Sequence, residues 1–146
     1  MNNHLKEREL WWPVSPDLMA SYNDGSHTNK TADGSIGWFK NGRHHRDGDK
    51  PAAIDANGAL RWFKNGVYHR DGDKPAVIWR SGRLEWFKNG LRHRISGPAI
   101  LHSRNGCEWY LNNKHITREV KEWLKDNQYT YPFTLEQQVE FSLTFG

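Results

Sequence analysis

A pentapeptide, Trp-Phe-Lys-Asn-Gly, occurs three times in this chain of 146 residues, beginning at Trp38, Trp62 and Trp86. A degraded fourth copy, Trp-Tyr-Leu-Asn-Asn, begins at Trp109, so successive copies are 24, 24 and 23 residues apart. Repetition at a fixed period of this size indicates stacked supersecondary units that bury their apolar faces only against one another. The period therefore predicts a repeat architecture.

Each repeat contains two turn signals. The first set is Asn41-Gly42, Asn65-Gly66 and Asn89-Gly90, and the second is Asn57-Gly58, Ser81-Gly82 and Asn105-Gly106, with Asp33-Gly34 ahead of both. Asn-Gly between apolar runs favours a type I′ hairpin, because both central residues need positive φ and glycine adopts it without steric cost. Two turns per unit imply two strands, so the chain is predicted to be mainly β. The expected fold is an antiparallel β-hairpin repeat meander of about 24 residues per repeat, with a short C-terminal helical cap.

The chain is predicted to form a single repeat domain with two flanks: N-terminal flank 1–32, repeats 33–116, and C-terminal cap and tail 117–146. In the N-terminal flank, a short amphipathic helix stopped by Pro13 is expected from the apolar residues Leu5, Leu10, Trp11 and Trp12. No apolar stretch is long enough for a signal peptide or a membrane span, and one cysteine, Cys107, excludes an internal disulfide. These features predict a cytoplasmic protein, in the host cytoplasm if it is phage-encoded.

The C-terminal flank carries helix signals. Thr117 is expected to cap a helix that ends at Asp126-Asn127. Thr134 and Gln137 have the spacing of a capping box, which predicts the start of a further short helix. Residues 141–145 alternate like a strand, so helix and strand both stay open there.

Apolar residues fall on both faces of the predicted strands. Alternation places Leu84 and Trp86 on one face and Phe87 on the other. Because a two-strand unit has few other large residues to bury, we predict that the tryptophans of the pentapeptides form the core between repeats. The residues expected to be exposed are either Phe39, Phe63 and Phe87 or Trp79. A row of exposed aromatic side chains needs to be covered, either by one of the flanks of this chain or by a partner molecule.

Positive charge is concentrated in the repeats. Residues 38–108 contain 14 Lys or Arg and 7 Asp or Glu, a net charge of +7, whereas the flanks contain 7 and 10, a net charge of −3. A basic array attracts nucleic acid, an acidic lipid surface or an acidic protein.

The histidines of the repeats are candidate metal ligands. His45, His69, His93 and His115 are taken as equivalent positions, one per repeat. Equivalent residues of successive two-strand units lie about 9.6 Å apart, whereas zinc ligands lie about 2 Å from the ion, so neighbouring units cannot share a metal. We therefore expect no metal and no other cofactor. Each His-Arg pair is instead predicted to hydrogen-bond its own polar loop, with Arg46 facing Asp47 to Asp49 and Arg70 facing Asp71 to Asp73.

The segment from His44 to Lys50 also resembles the core of HNH-type nucleases. In that family a helix bearing an asparagine and a ligand histidine follows, whereas here Pro51 and a strand follow. The same string recurs at His69 to Lys74, and repetition is typical of a structural element rather than of one assembled active site. We expect no catalytic residues, and a nuclease remains the least favoured alternative.

The whole repeat, Trp-Phe-Lys-Asn-Gly-x-x-His-Arg-x-x-Gly-x-x-Pro-Ala, resembles the tandem repeats of bacteriophage, bacterial and giant-virus proteins. These are distantly similar to MORN repeats and to YwqK-type antitoxin proteins. The resemblance covers about residues 33–116. It implies β-hairpin arrays used for binding. It also implies a phage accessory protein that binds host or defence machinery.

Together these observations predict a non-enzymatic binding module. Its expected partner is a host protein or protein complex with an acidic surface, which it blocks through a basic aromatic sheet face. The residues predicted to make this contact are Phe63, Lys64, Trp79, Arg80, Arg83, Phe87 and Lys88. Sequence-independent nucleic-acid binding is the alternative, since aromatic side chains interleaved with Lys and Arg stack on bases and contact phosphates. Homodimerisation is a competing use of the same face.

Overall fold

The computed structural model describes residues 27–146. The helix predicted near Leu10 lies outside the described residues. The strands are β1 (His27–Lys30), β2 (Ile36–Lys40), β3 (Arg43–His44), β4 (Ala53–Ile54), β5 (Leu60–Arg61), β6 (Phe63–Lys64), β7 (Val67–Tyr68), β8 (Val77–Ile78), β9 (Leu84–Glu85), β10 (Phe87–Lys88), β11 (Leu91–Arg92), β12 (Ile100–Leu101), β13 (Cys107–Glu108), β14 (Tyr110–Leu111) and β15 (Lys114–His115). The helices are α1 (Thr117–Asn127) and α2 (Leu135–Phe145).

One antiparallel sheet runs along the array in the order β1, β2, β4, β5, β8, β9, β12, β13, and β3 adds to it by pairing with β2. The strand pairing aligns one apolar row across this sheet, consisting of Ile54, Leu60, Ile78, Leu84 and Leu101. Since a shift of one residue would turn this row to the opposite face, its burial fixes the register. The predicted mainly β, antiparallel meander is confirmed.

A second row of hairpins lies beside the main sheet. Three of them form separate two-stranded sheets, β6–β7, β10–β11 and β14–β15. In the second repeat, one extended segment serves both rows, because β5 joins the main sheet, β6 joins the hairpin, and Trp62 lies between them. The Trp62 amide donates to the Ala76 carbonyl at 2.8 Å, and its own carbonyl accepts from the His69 amide at 3.1 Å. Each repeat thus contributes one hairpin to each row.

The two rows use different turns. In the second row, both central residues have positive φ, as in Asn65 (51°) and Gly66 (86°), which is the predicted type I′ conformation. In the main sheet, only the glycine does, as in Gly82 (86°). There the Gly82 amide donates to the Trp79 carbonyl and the Trp79 amide donates to Arg83, which describes a three-residue loop ending in a left-handed glycine.

Successive hairpins of the second row are joined by backbone hydrogen bonds. The Gly66 amide donates to the His44 carbonyl and the Gly90 amide donates to the Tyr68 carbonyl, each at 2.8 Å. At the last hairpin, the Asn113 amide donates to the Arg92 carbonyl at 2.9 Å. Each of these bonds joins a turn amide of one repeat to a strand carbonyl of the preceding repeat. They therefore fix the position of each hairpin relative to the one before it.

The core is built from one tryptophan per repeat. Trp38, Trp62 and Trp86 are almost completely buried, and they pack in one cluster with the apolar row of the main sheet. The alanines after the loop prolines, including Ala76 and Ala99, belong to the same cluster. The prediction that the tryptophans form the core between repeats is confirmed.

The C-terminal helices close the array over Trp109. A second buried cluster contains Trp109, Leu111, Ile116, Val120, Phe133 and Phe141. The helix start is one residue away from the prediction, because Ile116 is the N-cap and the Thr117 hydroxyl instead accepts from the Trp109 amide at 2.9 Å. The capping box of Thr134 and Gln137 is confirmed.

Two further expectations are settled at the ends of the described chain. Residues 141–145 are helical, because Phe141 and Phe145 face the aromatic cluster at helical spacing. The Asp33-Gly34 turn connects β1 to β2, with the Gly34 amide donating to the Thr31 carbonyl at 3.0 Å.

Replacing Gly66 with Val is expected to lower the free energy of unfolding by about 1–2 kcal/mol, because a β-branched residue would be held at positive φ. The strain is local, since a Cβ at Gly66 would meet only the Arg43 side chain, at 3.4 Å. Urea unfolding measures the change.

Gly66→Asn is the matched control. Asn113 already holds the equivalent turn position at φ 68°, so asparagine is expected to be nearly neutral at position 66. An equal loss in both variants would contradict the turn type.

Candidate functional site

The arginine of each His-Arg pair stacks on the tryptophan of its own repeat. The guanidinium carbons of Arg46, Arg70 and Arg94 lie 3.9, 3.7 and 3.9 Å from the ring centroids of Trp38, Trp62 and Trp86. Each guanidinium also donates to the carbonyl of its loop proline, at 3.1 to 3.3 Å. These three arginines are therefore committed to the scaffold and do not form an external basic surface.

The acidic partner of Arg70 and of Arg94 comes from the preceding repeat. Arg70 Nε donates to Asp49 at 2.7 Å, and Arg94 Nε donates to Asp73 at 2.7 Å. The prediction that Arg70 pairs with Asp71 to Asp73 of its own loop is therefore wrong. The reason is the stacking of repeats, which brings each loop against the next arginine, a relation that the sequence within one repeat does not contain.

The pKa of Asp49 reflects this link. Burial disfavours the charged carboxylate, but hydrogen bonds from Arg70 and Lys74 outweigh burial and hold the pKa of Asp49 below its ordinary value. Because the pKa is lowered in the folded state, the ion pair stabilises the fold above the unfolded pKa of about 3.9, and that contribution is lost as the pH falls.

The histidines do bond their own loops in the first two repeats. His45 Nε2 lies 2.9 Å from Asp47 and His69 Nε2 lies 2.8 Å from Asp71. The other ring nitrogen, Nδ1, accepts from the backbone amide of the next hairpin turn, at Asn65 and Asn89. Since Nδ1 accepts, Nε2 carries the proton and donates to the aspartate. This part of the prediction is confirmed.

His115 does not belong to this series. It pairs with Tyr110 across the last hairpin, as Tyr68 pairs with Phe63, so Ile116 occupies the position of the loop histidines. The assumed equivalence of His115 with His45 was wrong by one residue. Among residues 27–146, no three His, Cys, Asp or Glu side chains are grouped so that they could hold a metal ion.

The predicted aromatic surface is a closed stack. Ring centroids follow one another at 4.2 to 4.9 Å through Phe39, His44, Phe63, Tyr68 and Phe87. The Arg92 guanidinium continues the row between Phe87 and Tyr110. The expectation that Phe63 and Phe87 present exposed rings is therefore wrong, because each ring is flanked on both sides by members of its own stack.

Two other predicted contact residues converge on a buried acid. Trp79 Nε1 donates to Glu85 at 2.9 Å, and Arg83 forms an ion pair with the same carboxylate at 3.0 Å. The Arg92 guanidinium lies 3.3 Å from the second oxygen of Glu85, whose side chain is 5% exposed. The charge of Arg83 is thus balanced within the fold. Glu85 was not predicted from the sequence as a member of this cluster. The only indication of it in the sequence is an acidic residue at an alternating position of an otherwise basic strand.

The predicted lysines lie on the opposite side of the hairpins from the aromatic stack. Because Phe63 and Lys64 are consecutive in β6, their side chains point to opposite faces. All side chains on that opposite side are exposed in the first three repeats, and we call this surface the hairpin face, formed by Lys40, Arg43, Lys64, Val67, Lys88 and Leu91. Arg80 lies apart, in a turn of the main sheet, where it donates to the Asn57 carbonyl at 3.5 Å.

Two equivalent grooves separate successive loops. The first holds about 310 Å³ and is lined by residues including His45, Lys64, His69 and Lys74. The second holds about 390 Å³ and is lined by residues including Lys88, His93, Ile95 and Ser96. The two grooves share a plan but differ in composition, because the third loop has lost its aspartates.

No family model matches this chain, and no curated protein or solved structure matches it. The resemblance to MORN-type and YwqK-type repeats stays a prediction. In the part of the chain that the structure describes, no helix is long and apolar enough to cross a membrane.

Asp49→Asn is expected to lower the free energy of unfolding by about 1 kcal/mol at pH 7. Charge-assisted hydrogen bonds contribute more when buried, but the Asp49 side chain is 42% exposed, and solvent screens the pair. The difference from wild type is expected to shrink as the pH falls through the lowered pKa of Asp49, because the wild-type carboxylate then becomes protonated as well.

Urea unfolding at pH 7 and pH 2.5 measures both differences. Glu122→Gln is the control, because the Glu122 carboxylate faces only Arg118, at 4.0 Å on the exposed surface of α1. A loss for Asp49→Asn that is the same at both pH values would contradict the ion-pair assignment.

Proposed function

We propose that this chain is a non-enzymatic binding protein that attaches the hairpin face to an acidic surface on a partner protein. The observation that carries the proposal is the exposure of Val67 and Leu91, at 44% and 40%, between basic side chains. Apolar side chains bordered by one sign of charge are typical of a contact surface, since the charges steer the partner and the apolar groups gain from burial.

The distribution of charge supports the hairpin face over the rest of the array. The loop arginines bond aspartates of neighbouring repeats, and Arg83 and Arg92 face Glu85. On the hairpin face, by contrast, four of the six positions are Lys or Arg and none is Asp or Glu. Successive repeats are about 10 Å apart, so these cations form a row that a partner can contact at several points.

The repeated use of the same contacts supports a structural role for the residues that resemble catalytic groups. The His-to-Asp bond occurs in two repeats and the Arg-to-Trp stack in three. A catalytic site needs one assembled set of groups, and these groups are distributed with the period of the repeat.

Closure of the aromatic stack favours a protein partner over single-stranded nucleic acid. Binding of bases by stacking requires accessible ring faces. Phe63 lies between His44 and Tyr68, with centroid distances of 4.9 and 4.4 Å, so a base finds no ring face there. Attraction of phosphates to the lysine row remains as the second candidate, and salt dependence separates the two.

The charge of the hairpin face is reversed in a variant that carries Lys40→Glu, Arg43→Glu and Lys64→Glu. This variant is expected to recover no partner proteins from host lysate that has been treated with nuclease. The salt concentration is about 150 mM, which is roughly the physiological ionic strength. Lys88 is kept because it also lines the second groove. The matched control carries the same charge change on α1, by Arg118→Glu, Lys121→Glu and Lys125→Glu, and is expected to recover the wild-type partners.

Recovery of the same partners by the hairpin-face variant would contradict the proposal, as would recovery of none by wild type. A gel shift with single- and double-stranded DNA and RNA tests the second candidate. Phosphate contacts would make affinity fall by orders of magnitude between about 50 and 200 mM salt. Tight binding with that slope would replace the protein partner with nucleic acid.

Val67→Ser with Leu91→Ser is expected to weaken binding to a recovered partner at least about tenfold, because roughly half of each side chain is available for burial. Surface plasmon resonance measures the change, which should lie mainly in the dissociation rate. Unchanged affinity would show that the apolar positions do not take part.

A further inference from the structure

In the first two repeats, one aspartate accepts from the histidine of its own loop, and in the first repeat it also faces a lysine. Asp47 lies 2.9 Å from His45 Nε2 and 3.8 Å from Lys40 Nζ. Asp71 accepts from His69, and this hydrogen bond is the main reason that the pKa of Asp71 is lowered. The charge of His69 and, more weakly, the charge of Lys64 lower the pKa further. The fold therefore bonds a carboxylate to the histidine of the His-Arg pair twice, and the charge of the pentapeptide lysine favours that carboxylate in both repeats.

The third repeat keeps the histidine and the lysine but lacks the aspartate. Ile95 stands two residues after His93, where Asp71 stands two residues after His69. His93 Nδ1 accepts from the Asn112 amide at 3.2 Å, so its Nε2 carries the proton, as in the first two repeats. Within the described residues, neither His93 Nε2 nor Lys88 Nζ has a carboxylate partner.

The groove around these groups contains another unused donor. The Ser96 hydroxyl is buried and has no hydrogen-bond partner among the described residues. The acids nearby are already bonded, Asp71 to His69 and Asp73 to Arg94. Burial and then the charge of Lys88 lower the pKa of His93, so His93 is a neutral donor and the positive charge of the site comes from Lys88, without an internal anion beside it.

An exposed apolar groove adjoins the site. It is lined by Ile95 and by one side of α2, with Leu135 80%, Val139 62% and Leu143 83% exposed. Ile95 and Gln138 line both grooves, so the positive site and the apolar stripe form one continuous surface. On the rest of a small protein, three large apolar side chains at this exposure are unusual.

We propose that Lys88, His93 and the adjoining apolar groove bind a segment of a partner protein in which an Asp or Glu side chain is followed by apolar side chains. The carboxylate takes the place that Asp47 and Asp71 take in their own repeats, accepting from His93 Nε2 and facing Lys88. The apolar side chains pack along Leu135, Val139 and Leu143. This deepens the proposed function by naming the group recognised, at residues that the hairpin-face variant leaves unchanged.

Two peptides test the site directly: acetyl-Asp-Leu-Leu-amide and acetyl-Asn-Leu-Leu-amide, titrated against the full chain labelled with ¹⁵N. The ring nitrogens of His93 are followed by NMR. The Asp peptide is expected to shift His93 Nε2 and to bind at least about fivefold more tightly than the Asn peptide, because only it offers a charged acceptor. Equal affinity for the two peptides would overturn the proposal. So would the absence of any shift of His93 with either peptide at about 10 mM, which is roughly the weakest binding that such a titration detects.

Matched variants separate the site from general charge. Lys88→Gln is expected to weaken binding of the Asp peptide at least about fivefold, whereas Lys64→Gln, at the equivalent position where Asp71 already occupies the site, is expected to have no effect. Ile95→Asp should supply the carboxylate internally and compete with the peptide, whereas the isosteric Ile95→Asn should retain more of the binding. Equal effects within either pair would overturn the proposal.

Two further arms distinguish other uses of the surface. Acetate alone is expected to bind at least about tenfold more weakly than the Asp peptide, and equal affinity would remove the apolar groove from the site. The chain alone is not expected to form a dimer through the apolar stripe. Sedimentation would reveal such a dimer, and the Leu143→Glu substitution would dissociate it. Such a dimer would assign the apolar stripe to a second copy and overturn the proposal. Failure of the hairpin-face experiment with success of the peptide titration would leave this site standing and refute only the wider surface.

Discussion

The array depends on an arginine that, in the second and third repeats, bonds in three directions at once. In the second repeat, the Arg70 guanidinium lies 3.7 Å from the Trp62 ring centroid, donates to the Pro75 carbonyl and bonds Asp49 of the preceding repeat. Such a group is useful in a thin fold, because a planar cation can cover an aromatic face and still use its edge for hydrogen bonds. Lysine carries the same charge, but its ammonium group is not planar, so it cannot make the same set of contacts.

This constraint separates the residues that build the array from those that are available to act. Tryptophan, arginine and the loop proline recur in the first three repeats, and their side chains or carbonyls are used inside the scaffold. The residues that change from repeat to repeat lie elsewhere. They include Val67 and Leu91 on the hairpin face and Ile95 in the shortened loop. Exceptions to an internal repeat therefore mark positions that the scaffold itself leaves free to vary.

Features set by local chemistry could be predicted from the sequence. The type I′ turns follow from Asn-Gly pairs, and the start of α2 follows from Thr134 and Gln137. The tryptophan core follows from the period, because a large residue that recurs in every unit has only its neighbours to pack against. Each of these signals is contained within a few residues or within one period.

Features set by how repeats stack could not be predicted in the same way. The bond from Arg70 to Asp49 joins residues 21 positions apart, and a repeat read on its own offers Asp71 as an equally good partner. Closure of the aromatic stack around Phe63 depends on His44 of the previous repeat, and the role of Glu85 depends on Arg92 of the neighbouring hairpin. The candidate site at His93 is defined by the aspartate bond that His45 and His69 make and His93 lacks, although all three accept from a turn amide of the next hairpin.

The arginine link between repeats is tested most directly by a double-mutant cycle on Asp73 and Arg94, whose Oδ1 and Nε lie 2.7 Å apart. Unfolding free energies of wild type, Asp73→Ala, Arg94→Ala and the double variant isolate the coupling of this pair from the stacking of Arg94 on Trp86. Because Arg94 is nearly buried and Asp73 half-exposed, we predict a coupling energy of about 1 kcal/mol at pH 7. A coupling near zero would contradict the claim that the repeats are held together through this arginine.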